Sequence, residues 1–237
     1  MKNTLLFLFS LSFLLLGCVE EISDDINLPA EEITLDFKNA KNSWISGFAD
    51  LPADSDQTPR SQFELEGNYN NGPVDGAQTF KLSGKNLSSD LFMFLTRKID
   101  QLAPNQTYYA TVSVDFYSNV PVGLIGAGGS PGESVYLKAG ILDFQPQVYT
   151  EVNFDYINVD KGNQSQEGTE MVNLGNITHN AATQDYQLIQ RKNSKLIEFK
   201  SNANGEAWVI LGTESGFMGT TTLYYNEVSI TFGTSEF

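Results

Sequence analysis

Beyond residue 32 the chain alternates apolar and polar positions with a period of two, the pattern of strands that bury one face. Tyr108 to Tyr117 shows it most fully. Tyr108, Ala110, Val112, Val114 and Phe116 share one face, while Tyr109, Thr111, Ser113, Asp115 and Tyr117 share the other. The same alternation runs through Ile33-Leu35-Phe37, Phe63-Leu65, Val135-Leu137-Ala139-Ile141, Trp208-Ile210 and Tyr224-Asn226-Val228-Ile230-Phe232. Each predicts a strand with one wet face. Leu91 to Leu95 is apolar throughout and follows Ser88-Ser89-Asp90, which would suit a helix start, but its β-prone composition predicts a buried strand. No stretch sustains apolar residues at helical spacing. Turn-forming clusters separate the strands, among them Asn70-Asn71-Gly72-Pro73, Ala103-Pro104-Asn105, Gly128-Gly129-Ser130-Pro131-Gly132 and Asn202-Ala203-Asn204-Gly205. About ten short strands, with no long linker and no internal repeat, predict one all-β domain over residues 33–237, an antiparallel β-sandwich of jelly-roll type.

The N-terminus follows another rule. Lys2 precedes an apolar run from Leu5 to Leu16 that only Ser10 and Ser12 interrupt, the make-up of a signal peptide. A mature membrane-spanning helix needs roughly 20 apolar residues, so the run is too short to span. Leu15-Leu16-Gly17-Cys18 resembles the lipobox of bacterial lipoproteins, where the cysteine is diacylated before cleavage. The resemblance implies that residues 1–17 are removed and that Cys18 becomes the lipidated first residue. It also implies anchoring to the bacterial outer membrane, since two acyl chains hold where one is marginal. Residues 18–32, with Glu20, Glu21, Asp24 and Asp25, read as an acidic tether. A similar stretch after the cysteine is a surface-export signal in some bacterial lipoproteins, which implies display on the cell surface, with the periplasmic face as the alternative.

Charge narrows the partners. The chain has 29 acidic and 14 basic residues and a net charge of −15, and loss of Lys2 makes it more negative still. Such a balance repels nucleic acid and anionic lipid headgroups and leaves cations and neutral ligands open. Cys18 is the only cysteine, so the mature chain has no disulfide, zinc-thiolate site or cysteine nucleophile. Stability must come from a buried core, which 41% hydrophobic and 12% aromatic residues can supply.

Three segments resemble family 4/9-type carbohydrate-binding modules. Leu102-Ala103-Pro104-Asn105-Gln106-Thr107-Tyr108 is similar to the Leu-x-Pro-x-x-x-Tyr opening of their central strand. Leu223 to Ile230 is similar to their final strand, and Leu35-Asp36-Phe37-Lys38 to their first. The resemblance implies a galactose-binding-like jelly roll and non-catalytic glycan binding. Lys38 and Asn226 stand where that family holds Glu and Asp around a structural calcium.

Sugar recognition needs flat rings to stack on and amides to hydrogen-bond hydroxyls. Tyr69-Asn70-Asn71 and Tyr117-Ser118-Asn119 supply both, so Tyr69, Asn70, Asn71, Tyr117 and Asn119 are the candidate ligand residues. Trp44 and Trp208 read as core anchors. Asn158 to Glu167 is rich in oxygen ligands, and Asn158, Asp160, Asn163 and Glu167 are candidates for Ca2+, although Gly162 breaks the EF-hand pattern. Glu151 and Asp155, read on one straight strand, would start about 13 Å apart. Retaining glycosidases hold their carboxyls about 5–5.5 Å apart, which leaves only an inverting arrangement. His179 is the sole histidine and has no nucleophile elbow near it, so no catalytic residue is assigned. The glycine-rich Gly123–Gly132 run lacks the Gly-Lys-Ser/Thr ending of a phosphate loop and reads as a shaped loop that positions Glu133. The leading expectation is a membrane-anchored sandwich that binds extracellular glycan. A polysaccharide-cleaving glycosidase or lyase is the rival, and a structural or adhesive coat protein is the third reading.

Overall fold

Alternation does decide the strands, but burial on two sides and one bulge decide which residues they bury. A computed structural model describes residues 30–38, 44–87 and 90–235. The signal peptide, the Leu15–Cys18 motif and nearly all of the acidic tether lie outside the described residues. Fifteen strands are present among the described residues: β1 (Glu31–Asp36), β2 (Ile45–Ala49), β3 (Leu51–Pro52), β4 (Glu66–Asn71), β5 (Gln78–Lys85), β6 (Leu91–Ile99), β7 (Thr107–Ser118), β8 (Val135–Leu142), β9 (Val148–Glu151), β10 (Phe154–Ile157), β11 (Val172–Asn176), β12 (Gln187–Lys192), β13 (Ile197–Lys200), β14 (Ala207–Ser215) and β15 (Thr220–Gly233). The only helical element described is a 3-10 turn at Arg60–Phe63, where a strand through Phe63 was expected. Pro59 opens that turn and a left-handed Glu64 closes it.

Two antiparallel sheets form the sandwich. One runs β12-β7-β15-β5-β4, with β1 beside the second half of β15 and β13 beside the first half of β7. The other runs β11-β8-β14-β6-β2. The chain passes from sheet to sheet as it goes from β5 to β8 and again from β11 to β15, the jelly-roll plan. Between the sheets lies the main core, built from alternating residues such as Leu82, Leu95, Val112, Val114, Leu137, Val209, Leu223 and Ile230.

The expected face of β15 fails in its first half. The pairing with β7 slips between Tyr225 and Glu227, so Asn226 is an extra residue. A bulge of one residue moves side chains to the opposite face. Val228, Ile230 and Phe232 therefore enter the core as expected, but Tyr225 joins them in place of Tyr224.

The five-stranded sheet is covered on both sides. A short sheet, β3-β10-β9, and the segment to Met171 lie over its outer face. Ala49, Phe92, Phe94, Leu142, Ile157, Val159, Met171 and Ile210 form a second core there. This explains the unbroken apolar run of β6, because a strand buried on both faces has no polar alternation to keep. Gly212 belongs to the same arrangement. A methyl group at Gly212 would collide with the ring of Phe92, so the aromatic layer can lie on the sheet only over glycine.

Tyr225 is wholly buried in the main core, and its hydroxyl has no hydrogen-bond partner among the described residues. Desolvation pushes its phenol far above the ordinary range. Tyr225→Phe is therefore expected to raise stability by about 1 kcal/mol, the desolvation cost of one buried orphan hydroxyl, read as a higher urea midpoint. A lower midpoint would show that the hydroxyl has a partner.

Candidate functional site

The expected ligand residues fall on opposite faces of one sheet. Tyr69 is on β4 and packs into the main core, with its ring edge-on to Phe80 at 4.9 Å between centroids. Asn70 and Asn71 are exposed on the same edge strand; the Asn70 carbonyl accepts from the Thr79 hydroxyl (3.0 Å) and Asn71 Oδ1 from the Gln78 amide (2.9 Å). Tyr117 lies near the end of β7, only 5% exposed, and donates to Asp75 Oδ2 at 3.2 Å. Asn119 follows β7 and is half-buried. Tyr117 is thus nearly covered, whereas Tyr69 is half-buried with its ring edge-on to Phe80. Trp44 is a core anchor as read, stacked on Phe37 at 4.9 Å. Trp208 is half-buried on β14.

The oxygens expected for calcium are largely engaged in closing their own loop. Asn158 Oδ1 accepts from the Gln147 amide (2.7 Å). Asp160 accepts from the Thr169 amide (2.9 Å), the Thr169 hydroxyl (2.8 Å) and the Gly162 amide (3.2 Å), and these donors, Thr169 first, hold its carboxyl below the ordinary value. Glu167 accepts from the Asn173 amide at 3.4 Å and lies 3.7 Å from Lys195 Nζ. Asn163 is exposed, and its carbonyl accepts from Gln166. Among the described residues no three acidic or histidine side chains converge as metal ligands.

The straight strand read through Glu151 and Asp155 is a hairpin. Val152 and Asn153 take φ of 47° and 61°, the two positive values a tight type I′ turn requires, and β10 folds back on β9. Glu151 stays exposed. Asp155 turns inward, bound by Arg60 and by the Thr150 hydroxyl (2.6 Å), so the two acids do not form a facing pair. His179 is buried, with both ring nitrogens unpartnered among the described residues, and its backbone pairs with Val120 and Val122. Glu133 accepts from the Gly123 amide (2.6 Å) and the Ser130 hydroxyl, which ties the glycine-rich loop onto itself.

The structure assembles two other features. The first is an aromatic ladder on β9 and β10. Tyr149 pairs directly with Tyr156, centroids 5.8 Å apart, and Phe154 lies 4.9 Å beyond Tyr156. Cross-strand aromatic pairs stabilise a short hairpin. These nonetheless stay open to solvent, Tyr149 being 47% and Tyr156 38% exposed. Phe154, Tyr156, Tyr149 and Glu151 share the outer face, while Asp155 and Ile157 point to the sheet below. Val-Tyr-Thr-Glu before a Val-Asn turn and Phe-Asp-Tyr-Ile after it carries this signal in the sequence, but the turn lacks the glycine that usually marks one.

The second is a charged cavity of about 240 Å³, lined by Asp50, Asp90, Glu214, Asp160, Lys161 and Ile157, among others. Lys138, on β8 and fully buried, donates to the carbonyls of Lys161 (2.5 Å) and Gln166 (2.8 Å) and lies 3.4 Å from Glu214 Oε2. Lys161 Nζ lies 2.8 Å from Asp50 and 2.9 Å from Glu214, above the Phe92 ring. Burial alone would lower Lys161, but Glu214 and Asp50 outweigh it and hold the ammonium charged. Burial pushes Asp50 up, with Lys161 opposing. Asp90 in the cavity lining is pushed to about 6, first by desolvation and then by the charge of Asp50, with Lys161 opposing and Glu214 adding.

No protein-family model matches the chain, and no curated protein matches it by sequence. Among solved structures it is similar to TmCBM27, a carbohydrate-binding module of specific mannan recognition, at 13% identity over 87% of this chain and 99% of that one (TM-score 0.43). It is similar also to the family 11 carbohydrate-binding module of the Clostridium thermocellum cellulase Lic26A-Cel5E, at 8% identity over 86% and 95% (TM-score 0.41). It is similar as well to a cyclase from Fischerella sp., at 12% identity over 90% and 93% (TM-score 0.38). Likeness this remote, shared by binding modules and an enzyme, decides nothing about activity.

Asp90 provides a test of the cavity's electrostatics. Its folded value, about 6, lies above the ordinary 3.8, so folding favours the neutral acid. That contribution is present below about pH 4 and is lost as the pH rises through 6. Asp90→Asn is expected to stabilise the chain by about 1 kcal/mol at pH 7.5, a figure discounted for half exposure. The gain should vanish at pH 4 in urea titrations, and a loss at pH 7.5 would show that Asp90 is paired.

Proposed function

We propose that this chain is a lipid-anchored, non-catalytic lipoprotein whose sandwich binds extracellular glycan through the Tyr149–Tyr156–Phe154 ladder. One observation carries the reading. A sugar ring offers a flat C–H face, and three neighbouring aromatic rings held in a row on a hairpin, Tyr149 and Tyr156 exposed and Phe154 half-buried, match successive units of a linear polymer. An aromatic strip left wet, beside the exposed Val148 and Val152, is the kind of apolar patch that marks an interaction site. Glu151 lies on the same face, opposite Phe154, where its carboxylate can accept from sugar hydroxyls. Hydrolysis has less support, because the only acid pair the sequence offered on one strand is divided by a turn and one member is bound by Arg60.

The anchor rests on Leu15-Leu16-Gly17-Cys18 and the apolar run before it. Two acyl chains on Cys18 would hold the domain at the bacterial outer membrane, and the acidic residues that follow favour the cell surface.

In a glycan array, wild type is expected to retain at least one polymer, and Tyr149→Ala and Tyr156→Ala to lose about tenfold in affinity. That loss corresponds to roughly the 0.5–1.5 kcal/mol of an aromatic contact. Both side chains are well exposed, so the melting temperature should hardly change. Wild type that retains no glycan, or that releases oligosaccharides, would overturn the reading.

The anchor is tested separately. Cys18→Ser is expected to leave the protein unprocessed or to move it from membrane pellets to soluble fractions. Wild-type levels of cleaved Cys18→Ser protein in the pellet would rule out lipidation as the anchor.

A further inference from the structure

Lys161, Asp50 and Glu214 bring an amine, a carboxyl carbon and a base into contact. Lys161 Nζ lies 2.8 Å from Asp50 Oδ2 and 2.9 Å from Glu214 Oε2, and it stands over the Phe92 ring, 5.1 Å from the centroid. The side chains of Lys161 and Asp50 are each 11% exposed, and that of Glu214 is 1% exposed. An amine and a carboxyl group held this close and away from bulk water are placed to form an amide. Reacting atoms fixed about 3–3.5 Å apart gain the advantage of an intramolecular reaction. Condensation also removes two charges whose burial is costly. Lys138 fixes the arrangement from beneath, donating to the Lys161 carbonyl at 2.5 Å and lying 3.4 Å from Glu214 Oε2. The two acids are not equivalent. Glu214 faces both ammonium groups, whereas Asp50 meets Lys161 alone among the described residues. Burial pushes Asp50 toward the neutral acid, the form that an amine attacks.

We propose that Lys161 and Asp50 condense into an intramolecular isopeptide bond, with Glu214 as the proton carrier. Glu214 takes a proton from the Lys161 ammonium and passes it to an Asp50 oxygen, leaving a neutral amine beside a neutral acid. The amine electron pair forms the Nζ–Cγ bond. Glu214 then moves a second proton from that nitrogen to the same oxygen, the Cγ–O bond breaks, and the oxygen leaves as water into the adjoining cavity, which Asp50, Lys161 and Glu214 line. Ammonium and carboxylate become amide and water, Glu214 ends as it began, and no oxidant, reductant or cofactor is required. The bond ties the β2–β3 junction to the loop between β10 and β11 and encloses the β9–β10 hairpin in a covalent loop. Closing so long a loop restricts the unfolded chain. The bond does not depend on the ladder's binding glycan.

The test is mass spectrometry of the purified protein after digestion with trypsin. The expected product is residues 42–60 joined to residues 139–191, uncut at Lys161 and lighter by one water, about 18 Da, than the two peptides together. Lys161→Arg should yield no joined peptide. Glu214→Gln keeps both partners and is expected to form the bond about 10²–10⁴-fold more slowly, the usual worth of one acid–base group, in samples taken at intervals after synthesis. Tyr149→Ala and Asp90→Asn should keep it. Free 42–60 and 139–161 from folded wild type would overturn the proposal, as would a joined peptide carrying Glu214 in place of Asp50, or bond formation in Glu214→Gln at the wild-type rate. The wild-type digest decides the matter even where a variant fails to fold. No outcome bears on glycan binding by the ladder.

Discussion

Lys138 holds the outer layer of this protein in place. A fully buried ammonium costs several kcal/mol in lost hydration, and nothing in an apolar strand offsets it. Here its three donors are answered by the carbonyls of Lys161 and Gln166 and by Glu214. Charge-assisted hydrogen bonds to carbonyls are worth roughly 1.5–3 kcal/mol each, so the ammonium is tolerated only while those groups stay in place. The loop that contains them is thereby fixed on the sheet. Lys161, carried by that loop, then reaches back to Asp50 and Glu214. Two lysines thus bind loop to sheet in both directions, and the Phe92, Phe94 and Ile210 core is sealed beneath.

The same network shows where reading the sequence succeeds and where it stops. Period two places Val135, Leu137, Ala139 and Ile141 in the main core correctly, and by the same logic it sends Lys138 to water. The strand geometry in that reading is right. What it lacks is the third layer, which covers the outer face and leaves Lys138 with no exposure at all. Local pattern reports which face a side chain takes, and only the tertiary fold determines whether that face is wet. The continuous apolar run of β6 was the one local sign of a second cover, since a strand with one wet face would not carry Phe92 and Phe94 there.

The candidate site was less legible, for related reasons. Tyr69 and Tyr117 stand next to amide-rich segments, but β4 continues through Asn70 and Asn71, so the rings are set by strand pairing and not by a loop. Tyr149, Phe154 and Tyr156 become neighbours only because the chain reverses at Val152-Asn153. Valine in a left-handed turn carries a steric cost, and no propensity would place it there. Packing of β10 on the second core and on β3 supplies the compensation.

Asp50 links these parts. It joins β2 to β3 with φ of 57°, a left-handed conformation that costs a non-glycine residue of order 1–3 kcal/mol and survives only where surrounding contacts over-determine it. Its amide donates to the Asp155 carbonyl at 2.7 Å, which carries the small sheet onto the five-stranded one. Its carboxylate meets Lys161 in the cavity. Asp155 in turn stands between Phe154 and Tyr156 on β10. The backbone that positions the aromatic ladder and the side chain that completes the charged cavity therefore belong to one residue, held from both sides.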